Sequence, residues 1–424
     1  MGILFVSHSH PRFSKGGAEL AAWRLFESVR GQKGYESSGF LAAAPHPDDV
    51  FMNGCEVKGL TEDQWLIRPS MNPIVHSSSI NLSADGMLFA AIREKDFKLI
   101  HIHHFLHVGI DLIYALKRWF PNAKFIMTLH DYWAPCVYEG RLLRSSGLLC
   151  EGGSPKECDV CLGQGYRGEL AIRSIRLAQM FAMIDQFISP SFFLKKQYLA
   201  WGVDNNLISV VENLPVYNHH PAIAKTGTFE GTNTGVLVVS YFGQVNPWKG
   251  LDVILRALQI ALDHGSKIEL RVHGIDQQDF ETSSMTQSPF LKTCVELMSK
   301  LDKKSVRVMG RYDSSEINAL MESTDVMVMG SIWYENSPMV IQEAFLHKVP
   351  VIAPDLGGMA EKVKNHKSGL LYKVCDEYSL ANCLNLISVD RDLLEHLREG
   401  AIKSSNKLLN FMHNHQLIYQ SLIS

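Results

Sequence analysis

The chain has 424 residues, of which 46% are hydrophobic and 20% charged, and its formal net charge at pH 7 is −3. This length suits two domains of roughly 200 residues each, and the composition is that of a globular protein rather than a disordered or fibrous one. The small negative charge argues against nucleic-acid binding. No apolar run approaches the roughly 20 residues that cross a bilayer, and the first residues already read as a strand, so no signal peptide is expected.

A strand, a glycine pair and a helix open the chain. Ile3–Ser7 is an apolar run typical of a buried parallel strand. Gly16 and Gly17 then precede Glu19 and a segment with apolar residues at helical spacing. A glycine pair before a helix lets a ligand oxygen approach the backbone, although on its own it is more often only a turn.

Two later strands end in polar residues, namely Leu99–His104 and Lys124–His130. Polar residues at the carboxyl end of a buried parallel strand lie where ligands bind in such sheets, whereas a lone histidine there is by default a satisfied core residue. Strand alternation sends His101 and His103 to one face and His104 to the other, which argues against a metal site in this strand.

Four of the eight cysteines fall in one segment rich in glycine, serine and proline. They are Cys136, Cys150, Cys158 and Cys161. The last two form a Cys-x-x-Cys pair, and four such ligands could close a tetrahedral zinc site. The first gap is long and no strand pattern frames the pairs, so a structural zinc ion and four free thiols both stay open as interpretations. Neither would be part of the catalytic machinery.

The pattern from Tyr166 to Phe187 is helical and mixes basic with apolar residues. Such a surface helix could rest on anionic lipid, although more often it is a core helix with a solvated face. Residues 218–234 are polar and aperiodic, which is typical of a linker.

The second half opens with a predicted strand, Gly235–Phe242, which leads through the loop Gly243–Gly250 into a helix from Leu251. A glycine-bounded loop that carries Lys249 into a helix suits a diphosphate, because the lysine supplies charge and the turn supplies N–H groups. The loop is not a Walker A motif, since the spacing and the serine or threonine after the lysine are missing.

A second strand-to-helix junction follows the predicted strand Val326–Gly330. Ser337 is predicted to be the N-cap of the next helix and Pro338 its first residue. The start of that helix would offer free N–H groups and a positive dipole end to a phosphate. Glu335 lies just ahead of this position in the loop, and Glu343 lies on the helix.

Glu335 and Glu343, eight residues apart, resemble the E-x7-E region of family-4 retaining glycosyltransferases, with Ser337 and Pro338 between them and Gly357–Gly358 downstream. The resemblance implies a GT-B fold, which is an α/β architecture of two Rossmann-like doubly wound domains facing across a cleft. We therefore expect an N-terminal acceptor-side domain over residues 1–217, a C-terminal nucleotide-sugar-binding domain over residues 218–390, and C-terminal helices over residues 391–424 that cross back to the N-terminal domain.

Two further stretches are similar to the same family, the Gly-Gly-Ala-Glu opening at residues 16–19 and the string Thr128–Trp133. The resemblance implies that the first stretch holds acceptor or donor phosphate and that His130, more than Asp131, reaches the donor sugar. Glu335 would hold that sugar, and Glu343 would bind the ribose of the nucleotide.

The residues expected at the site divide into three groups. The catalytic residues would be Glu335, His130 and Lys249; the donor-binding residues Gly243, Gln244, Lys249, Asn336, Ser337, Pro338, Met339 and Glu343; and the acceptor or phosphate loop Gly16, Gly17 and Glu19. Gln244 stands where the family has an arginine. Glutamine supplies hydrogen bonds but no charge, so Lys249 should carry more of the diphosphate charge.

The expected activity is retaining, metal-independent transfer of a hexose from a UDP- or GDP-sugar to a glycan or lipid-linked saccharide, in surface polysaccharide synthesis. No Asp-x-Asp pair stands at a strand end to hold a metal–diphosphate complex, and retention is implied by the resemblance alone. The alternatives are a GT-B-fold nucleotide-sugar epimerase, which needs no acceptor, and a non-catalytic sugar-nucleotide-binding protein. No cofactor beyond the nucleotide sugar is expected for catalysis. The expected location is the cytoplasm, with peripheral contact at the inner face of the cell membrane.

Overall fold

The computed structural model describes residues 2–14, 16–44, 50–51, 55–70, 72, 74–213, 235–286, 288–313, 315–405 and 411–423. The chain divides into two compact units. The N-terminal unit comprises Met1–Leu214 together with Asn410–Ser424, and the C-terminal unit comprises Pro215–Leu409. The predicted linker, residues 218–234, lies outside the described residues.

The N-terminal unit is built on an eight-stranded sheet with the order β3-β4-β2-β1-β5-β6-β7-β8. Its strands are β1 (Gly2–Ser7), β2 (Gly39–Ala43), β3 (Val57–Thr61), β4 (Gln64–Ile67), β5 (Phe97–Ile102), β6 (Lys124–Thr128), β7 (Gln186–Ser189) and β8 (Ile208–Val210). All neighbours pair in parallel except β3 and β4, which are antiparallel. The central strand β1 is buried along its whole length, as expected of a parallel sheet covered on both faces.

Seven helices of the N-terminal unit are described. They are α1 (Gly17–Arg30), α2 (Met87–Ile92), α3 (Ile110–Trp119), α4 (Pro155–Cys161), α5 (Arg167–Phe181), α6 (Phe192–Trp201) and, at the end of the chain, α15 (Phe411–Ile423). Helix α1 packs its apolar face on the sheet, where Phe5, Phe26 and Phe40 are fully buried against one another. Helix α15 is tied to the sheet, because the hydroxyl of Tyr419 lies 2.8 Å from Nδ1 of His101.

The C-terminal unit has a second, entirely parallel sheet with the order β11-β10-β9-β12-β13-β14. Its strands are β9 (Leu237–Phe242), β10 (Ile268–His273), β11 (Val306–Gly310), β12 (Val326–Val328), β13 (Val351–Pro354) and β14 (Gly369–Tyr372). Its described helices are α7 (Leu251–Asp263), α8 (Gln277–Thr286), α9 (Pro289–Met298), α10 (Ile317–Glu322), α11 (Met339–Leu346), α12 (Gly357–Lys362), α13 (Glu377–Val389) and α14 (Arg391–Ser405).

Strand order in this second sheet reverses between β9 and β12, which is the point where open α/β sheets form a ligand crevice at their carboxyl edge. The predicted fold class, two Rossmann-like α/β domains, is confirmed.

Helix α14 belongs to the C-terminal unit and α15 to the N-terminal unit. None of the described helices has the length and apolar character needed to span a membrane.

One predicted element is shorter than its pattern. Helix α5 ends at Phe181, whereas the helical pattern continues to Phe187. Phe187 lies instead in β7, because residues 186–188 pair with β6. The backbone N–H of Asp185 donates to the carbonyl of Phe125 at 2.8 Å and so starts that pairing. Long-range pairing therefore overrides local helical periodicity here.

Candidate functional site

The loops after β9 and β12 interlock at the carboxyl edge of the C-terminal sheet. Gly250 has φ +60°, and a Cβ atom there would lie 2.0 Å from the carbonyl oxygen of Gly330. The reverse contact is equally tight, because a Cβ at Gly330 would lie 2.3 Å from the carbonyl oxygen of Gly250. Ile332 also donates its N–H to the carbonyl of Trp248 at 2.9 Å. Only glycine fits at this crossing, and the crossing fixes one loop against the other.

Lys249 is held at the end of a short 3-10 turn, Pro247–Lys249. The side-chain oxygen of Asn246 accepts the N–H groups of Trp248 and Lys249 at 3.1 and 3.2 Å, which caps this turn. The turn directs the lysine toward the neighbouring loop, where Nζ lies 2.5 Å from Oε1 of Glu335.

Glu335 is a buried carboxylate with three donors on one oxygen. Besides Lys249, its Oε1 accepts from Oγ of Ser331 at 2.8 Å and from Nε1 of Trp333 at 3.1 Å. The side chain of Lys249 is 27% exposed and that of Glu335 is 10% exposed. The ammonium group thus keeps access to solvent, and an arriving anion could share it with Glu335.

Helix α11 begins beside this ion pair without a side-chain cap. Pro338 occupies the N-cap position with extended backbone, and Met339 is the first helical residue. The prediction that Ser337 is the N-cap is therefore wrong, because the helix starts one residue later than expected. Oγ of Ser337 is buried and has no hydrogen-bond partner among the residues that the structure describes. A helix start with open N–H groups and an unpartnered hydroxyl beside it suits a bound phosphate.

The strand that follows α11 brings a third glycine against the same loop. Gly358 donates its N–H to the carbonyl of Glu335 at 2.8 Å. A Cβ at Gly358 would lie 1.7 Å from the carbonyl oxygen of Asn336. The loop predicted after β13 is mostly the short helix α12, and Gly357, its first residue, has φ +57°. Close approach of backbone to backbone thus accounts for Gly358.

Gln244 lies at the carboxyl end of β9, beside another close glycine contact. A Cβ at Gly274 would lie 2.0 Å from the carbonyl oxygen of Gly243. The side chain of Gln244 is exposed, and its backbone carbonyl accepts from the hydroxyl of Tyr241 at 2.7 Å. The structure therefore places Gln244 at the rim of the same edge that carries Lys249.

An aromatic cluster at this edge was not predicted. The rings of Phe242 and His273 stack with centroids 4.5 Å apart and an angle of 9°, and Tyr312 stands edge-on to Phe242 at 5.7 Å. Burial, with the charge of Arg271, lowers the pKa of His273 to about 4, so its ring is neutral at pH 7. Burial, with the charge of Glu343, raises the pKa of Tyr312. The sequence signal that could have located this cluster is position, because Phe242 and His273 are each the last residue of a strand in the parallel sheet.

In the N-terminal unit, Gly16 is the N-cap residue of α1 and Gly17 its first residue. Glu19 is buried and accepts from Oγ of Ser14 at 2.5 Å and from Nε2 of His8 at 3.2 Å. Burial opposes the ionisation of Glu19, but the hydrogen bond and charge of His8, together with the hydroxyl of Ser14, lower the pKa of Glu19 to about 2. Glu19 is therefore an anion held inside its own loop.

His130 and Asp131 are both paired with histidines that follow β5. Nε2 of His130 lies 2.9 Å from Nδ1 of His103, and Asp131 pairs with Nε2 of His104 at 2.7 Å. Burial, with the charge of His104, lowers the pKa of His130 to about 3, so its imidazole is neutral at pH 7. It can exchange hydrogen bonds with a ligand but offers no charge.

The four clustered cysteines, Cys136, Cys150, Cys158 and Cys161, are free thiols. Among the described residues, no group of three or more His, Cys, Asp or Glu side chains is placed so that it could hold a metal ion. The predicted absence of a metal site among the histidines of the β5 region remains a prediction.

Two family comparisons cover most of the chain. The sequence model of "Glycosyltransferase Family 4" matches residues 15–214, and that of "Glycosyl transferases group 1" matches residues 228–404. Among curated proteins, the chain is similar to the D-inositol 3-phosphate glycosyltransferases of Nocardia farcinica (strain IFM 10152), with 24% identity over 58% of this chain, and of Streptomyces bingchenggensis (strain BCW-1), with 24% identity over 74% of this chain. The chain spans 54% and 64% of the lengths of these two relatives.

Solved structures share the fold over nearly the whole chain. The Anabaena protein Alr3699/HepE, crystallised in complex with UDP, superposes with a TM-score of 0.65 at 18% identity, covering 100% of this chain and 99% of that one. Sucrose-phosphate synthase from Thermosynechococcus elongatus superposes with a TM-score of 0.67 at 18% identity, covering 99% of this chain and 98% of that one. With two Rossmann-like sheets and two family matches that together span most of its length, the chain belongs to the group 1 glycosyltransferases of the GT-B fold.

Proposed function

We propose that this protein is a retaining, metal-independent glycosyltransferase that moves a hexose from a UDP- or GDP-sugar to a glycan or lipid-linked acceptor in surface polysaccharide synthesis. The observation that carries the proposal is the contact between Lys249 and Glu335 beside the uncapped start of α11. A cation, open N–H groups and a buried carboxylate meet there, which is what a sugar linked to a diphosphate requires. The UDP complex of the similar Anabaena structure supports a uridine donor.

The leaving diphosphate is stabilised by groups that this unit already holds in place. Lys249 supplies positive charge, and the first N–H groups of α11 supply hydrogen bonds and a dipole, so charge that develops in the transition state meets fixed donors. Gln244 adds hydrogen-bonding capacity without charge. These groups remove the need for a metal ion to neutralise the diphosphate.

The transfer itself exchanges one bond for another at the anomeric carbon. The acceptor hydroxyl oxygen bonds to that carbon, the bond from carbon to the donor phosphate oxygen breaks, and the hydroxyl proton leaves with the nucleoside diphosphate. Glu335 positions the sugar and steadies the positive charge at the anomeric carbon. Retention, and the role of His130 at the sugar, rest on the family resemblance.

The nucleoside is placed by the groups at the other strand ends of the same sheet. Tyr312, which stands edge-on to the buried stack of Phe242 and His273 and is itself partly exposed, offers an apolar surface to the base. Glu343, a buried carboxylate on α11, is assigned to the ribose hydroxyls. One carboxylate can accept hydrogen bonds from both ribose hydroxyls, and these charge-assisted bonds are strong.

Membrane contact through α5 would depend more on apolar than on basic side chains, because Arg173 is buried and Arg176 is largely covered. Arg167 pairs with Asp159 at 3.0 Å, and Arg176 pairs with Asp111 at 2.7 Å. Arg173 is buried and donates to a backbone carbonyl at 2.9 Å. The outward face of the helix instead carries exposed isoleucines, Ile172 and Ile175. We place the protein in the cytoplasm, where these side chains could contact the inner face of the membrane.

The proposal is tested by donor screening followed by product analysis. A thermal-shift screen of the purified chain against UDP-, GDP- and ADP-sugars identifies the donor, because a bound ligand stabilises the fold by mass action. Transfer to a panel of glycan and lipid-linked acceptors is then measured, and the anomeric configuration of the new bond is determined. Conversion of the donor without an acceptor would show an epimerase, and binding without transfer to any acceptor would show a non-catalytic protein.

Lys249→Ala and Glu335→Ala should each lower kcat/KM at least about 100-fold, or about 3 kcal/mol of transition-state stabilisation. Lys300→Ala, which removes an exposed lysine of the same unit, is the matched control and should leave turnover unchanged. Near-normal turnover by both site variants would refute the assignment.

A further inference from the structure

A small cavity of about 30 Å³ in the N-terminal unit is lined by all four clustered cysteines. The lining includes Cys136, Cys150, Cys158 and Cys161, so thiols that are up to 25 positions apart in sequence reach one space. None of the four is assigned to sugar transfer. All eight cysteines of the chain are free, and half of them line one cavity. This clustering indicates a common ligand.

Two of the thiols are placed by a small hairpin. Leu143 and Leu149 form an isolated antiparallel bridge, and Cys150 donates its N–H to the carbonyl of Leu142 at 2.8 Å. Cys136 precedes this hairpin and is buried. The backbone of the hairpin therefore fixes Cys150, and the turn that leads into the hairpin fixes Cys136.

The other two thiols are placed by helix α4. Ser154 and Glu157 form a capping box at its start, in which Ser154 accepts the N–H of Glu157 and Glu157 accepts the N–H of Ser154. Cys158 and Cys161 follow three residues apart on this helix, a spacing that puts two side chains on one face. A well-capped short helix thus presents a Cys-x-x-Cys pair to the cavity.

The sulfur of Cys136 is anchored at the cavity wall. Its thiol donates to the backbone carbonyl of Tyr138 at 3.6 Å, and both residues line the cavity.

Positive side chains lie around the cavity. Arg144 lines the cavity and Arg173 lies close enough to interact with Cys136 and Cys158. These guanidinium groups would balance the negative charge that four thiolates leave on a divalent ion.

We propose that Cys136, Cys150, Cys158 and Cys161 together bind one structural zinc ion. Four sulfur ligands and no oxygen ligand favour zinc over magnesium or calcium. The sulfur atoms do not form a metal site as they stand, so they must move onto the ion. Binding releases the thiol protons to solvent. The ion would join the hairpin to α4 and make the segment between Asp131 and α5 rigid.

The first test is metal analysis of the full-length chain purified without chelators from zinc-supplemented cells. We expect about one zinc ion per chain. The Cys158→Ser/Cys161→Ser double variant should lose the zinc, whereas the matched control Cys375→Ser/Cys383→Ser, which removes two free thiols of the C-terminal unit, should retain it. Zinc retained by the first double variant, or iron in place of zinc in the wild type, would overturn the proposal.

A second measurement uses the wild type only, so it stands even when the double variant fails to fold. Metal-free protein is titrated with cobalt, and the visible bands of tetrahedral cobalt bound to thiolates are expected to appear and to disappear on addition of zinc. Four of the eight thiols should also become protected from a thiol reagent when zinc is added. No zinc in the purified wild type together with no cobalt bands would overturn the proposal. Both readouts are independent of glycosyl transfer.

Discussion

Glu335 and Lys249 are 86 positions apart in sequence, and their contact is the charged centre of the C-terminal unit. A carboxylate this buried is tolerable because three donors converge on one oxygen, while its ammonium partner stays partly in water. Removing the lysine leaves Glu335 with two neutral donors, so Lys249→Ala should weaken the fold as well as the chemistry. The turnover of that variant should therefore be divided by the fraction of the protein that is folded.

The variant Ser337→Ala tests whether Ser337 binds the donor phosphate or only caps helix α11. The hydroxyl of Ser337 is buried without a partner in the described part of the chain, so its loss should change the free energy of unfolding by less than about 1 kcal/mol. The KM for the donor should rise severalfold, because a hydrogen bond to phosphate is lost. Urea melts without ligand and donor titrations measure the two effects.

Ser288→Ala is the matched control for this prediction, because Oγ of Ser288 does cap a helix by accepting the N–H of Leu291 at 3.3 Å. It should cost about 1 kcal/mol of stability and leave the donor KM unchanged. Equal destabilisation by the two variants, with no change in KM for either, would mean that Ser337 has only a structural role.

At the level of single residues, the sequence was informative where a residue type serves one purpose. A lysine in a glycine-bounded loop and a glutamate before a helix predict a diphosphate site with a carboxylate, whatever their distance in the fold. The wrong N-cap has a simple cause, since Ser-Pro before a helix allows either residue to be the cap. The stack of Phe242 and His273 could not be predicted, because both residues also fit an ordinary core strand.

Among the elements, the loop after β12 is held between two others by glycines. Gly330 meets Gly250 on one side, and Gly358 meets the carbonyl of Asn336 on the other. The positions of Glu335 and of the start of α11 therefore depend on backbone contacts in which no side chain takes part. The glycines are as necessary to the site as the charged residues.

Gly358→Ala should disrupt this arrangement. A Cβ placed 1.7 Å from the carbonyl oxygen of Asn336 forces the loop to move, and we expect a loss of about 2–4 kcal/mol of stability together with loss of donor binding. Differential scanning calorimetry and donor titration measure both. In the control Gly168→Ala, the new methyl group meets no atom within 4 Å, and both quantities should stay near the wild-type values. A fully stable, donor-binding Gly358→Ala protein would contradict the role given to this contact.

At this scale the alternation of strands and helices was predictable because buried parallel strands are apolar runs separated by amphipathic segments. The exact boundaries of the strands and helices were less predictable. The helical pattern that ends in Phe187 belongs partly to β7, whose pairing with β6 local periodicity does not reveal. The inward direction of Arg173 and Arg176 also depends on partners far away in sequence, among them Ala134 and Asp111.

Across the whole molecule, neutral buried histidines make stability depend on pH. His76 is fully buried, and neither of its ring nitrogens has a partner among the described residues. Burial, with the charge of Arg173, lowers the pKa of His76 to about 3. Burial likewise lowers the pKa of His101 and His103. Below about pH 6.5 the unfolded chain takes up protons that the folded chain does not, so stability is lost as the pH falls toward the folded pKa values.

We predict that lowering the pH from 7.5 to 5.5 reduces the free energy of unfolding by about 1.4 kcal/mol for each such histidine. Urea melts across this range measure the slope, and His76→Gln should reduce it. The control His413→Gln, at an exposed position of α15, should not. Glu19, whose pKa is about 2, adds acid sensitivity of the same sign only below its unfolded value near pH 4.5. Melts that coincide over the whole range would contradict the prediction.

The account as a whole depends on where a nucleoside diphosphate binds, and a crystal structure of the full chain with UDP measures this most directly. We predict that its phosphates lie about 3 Å from Nζ of Lys249 and from the first N–H groups of α11, with the base beside Tyr312. A nucleotide that binds in the N-terminal unit only, or on the C-terminal unit away from Lys249 and Ser337, would contradict the account.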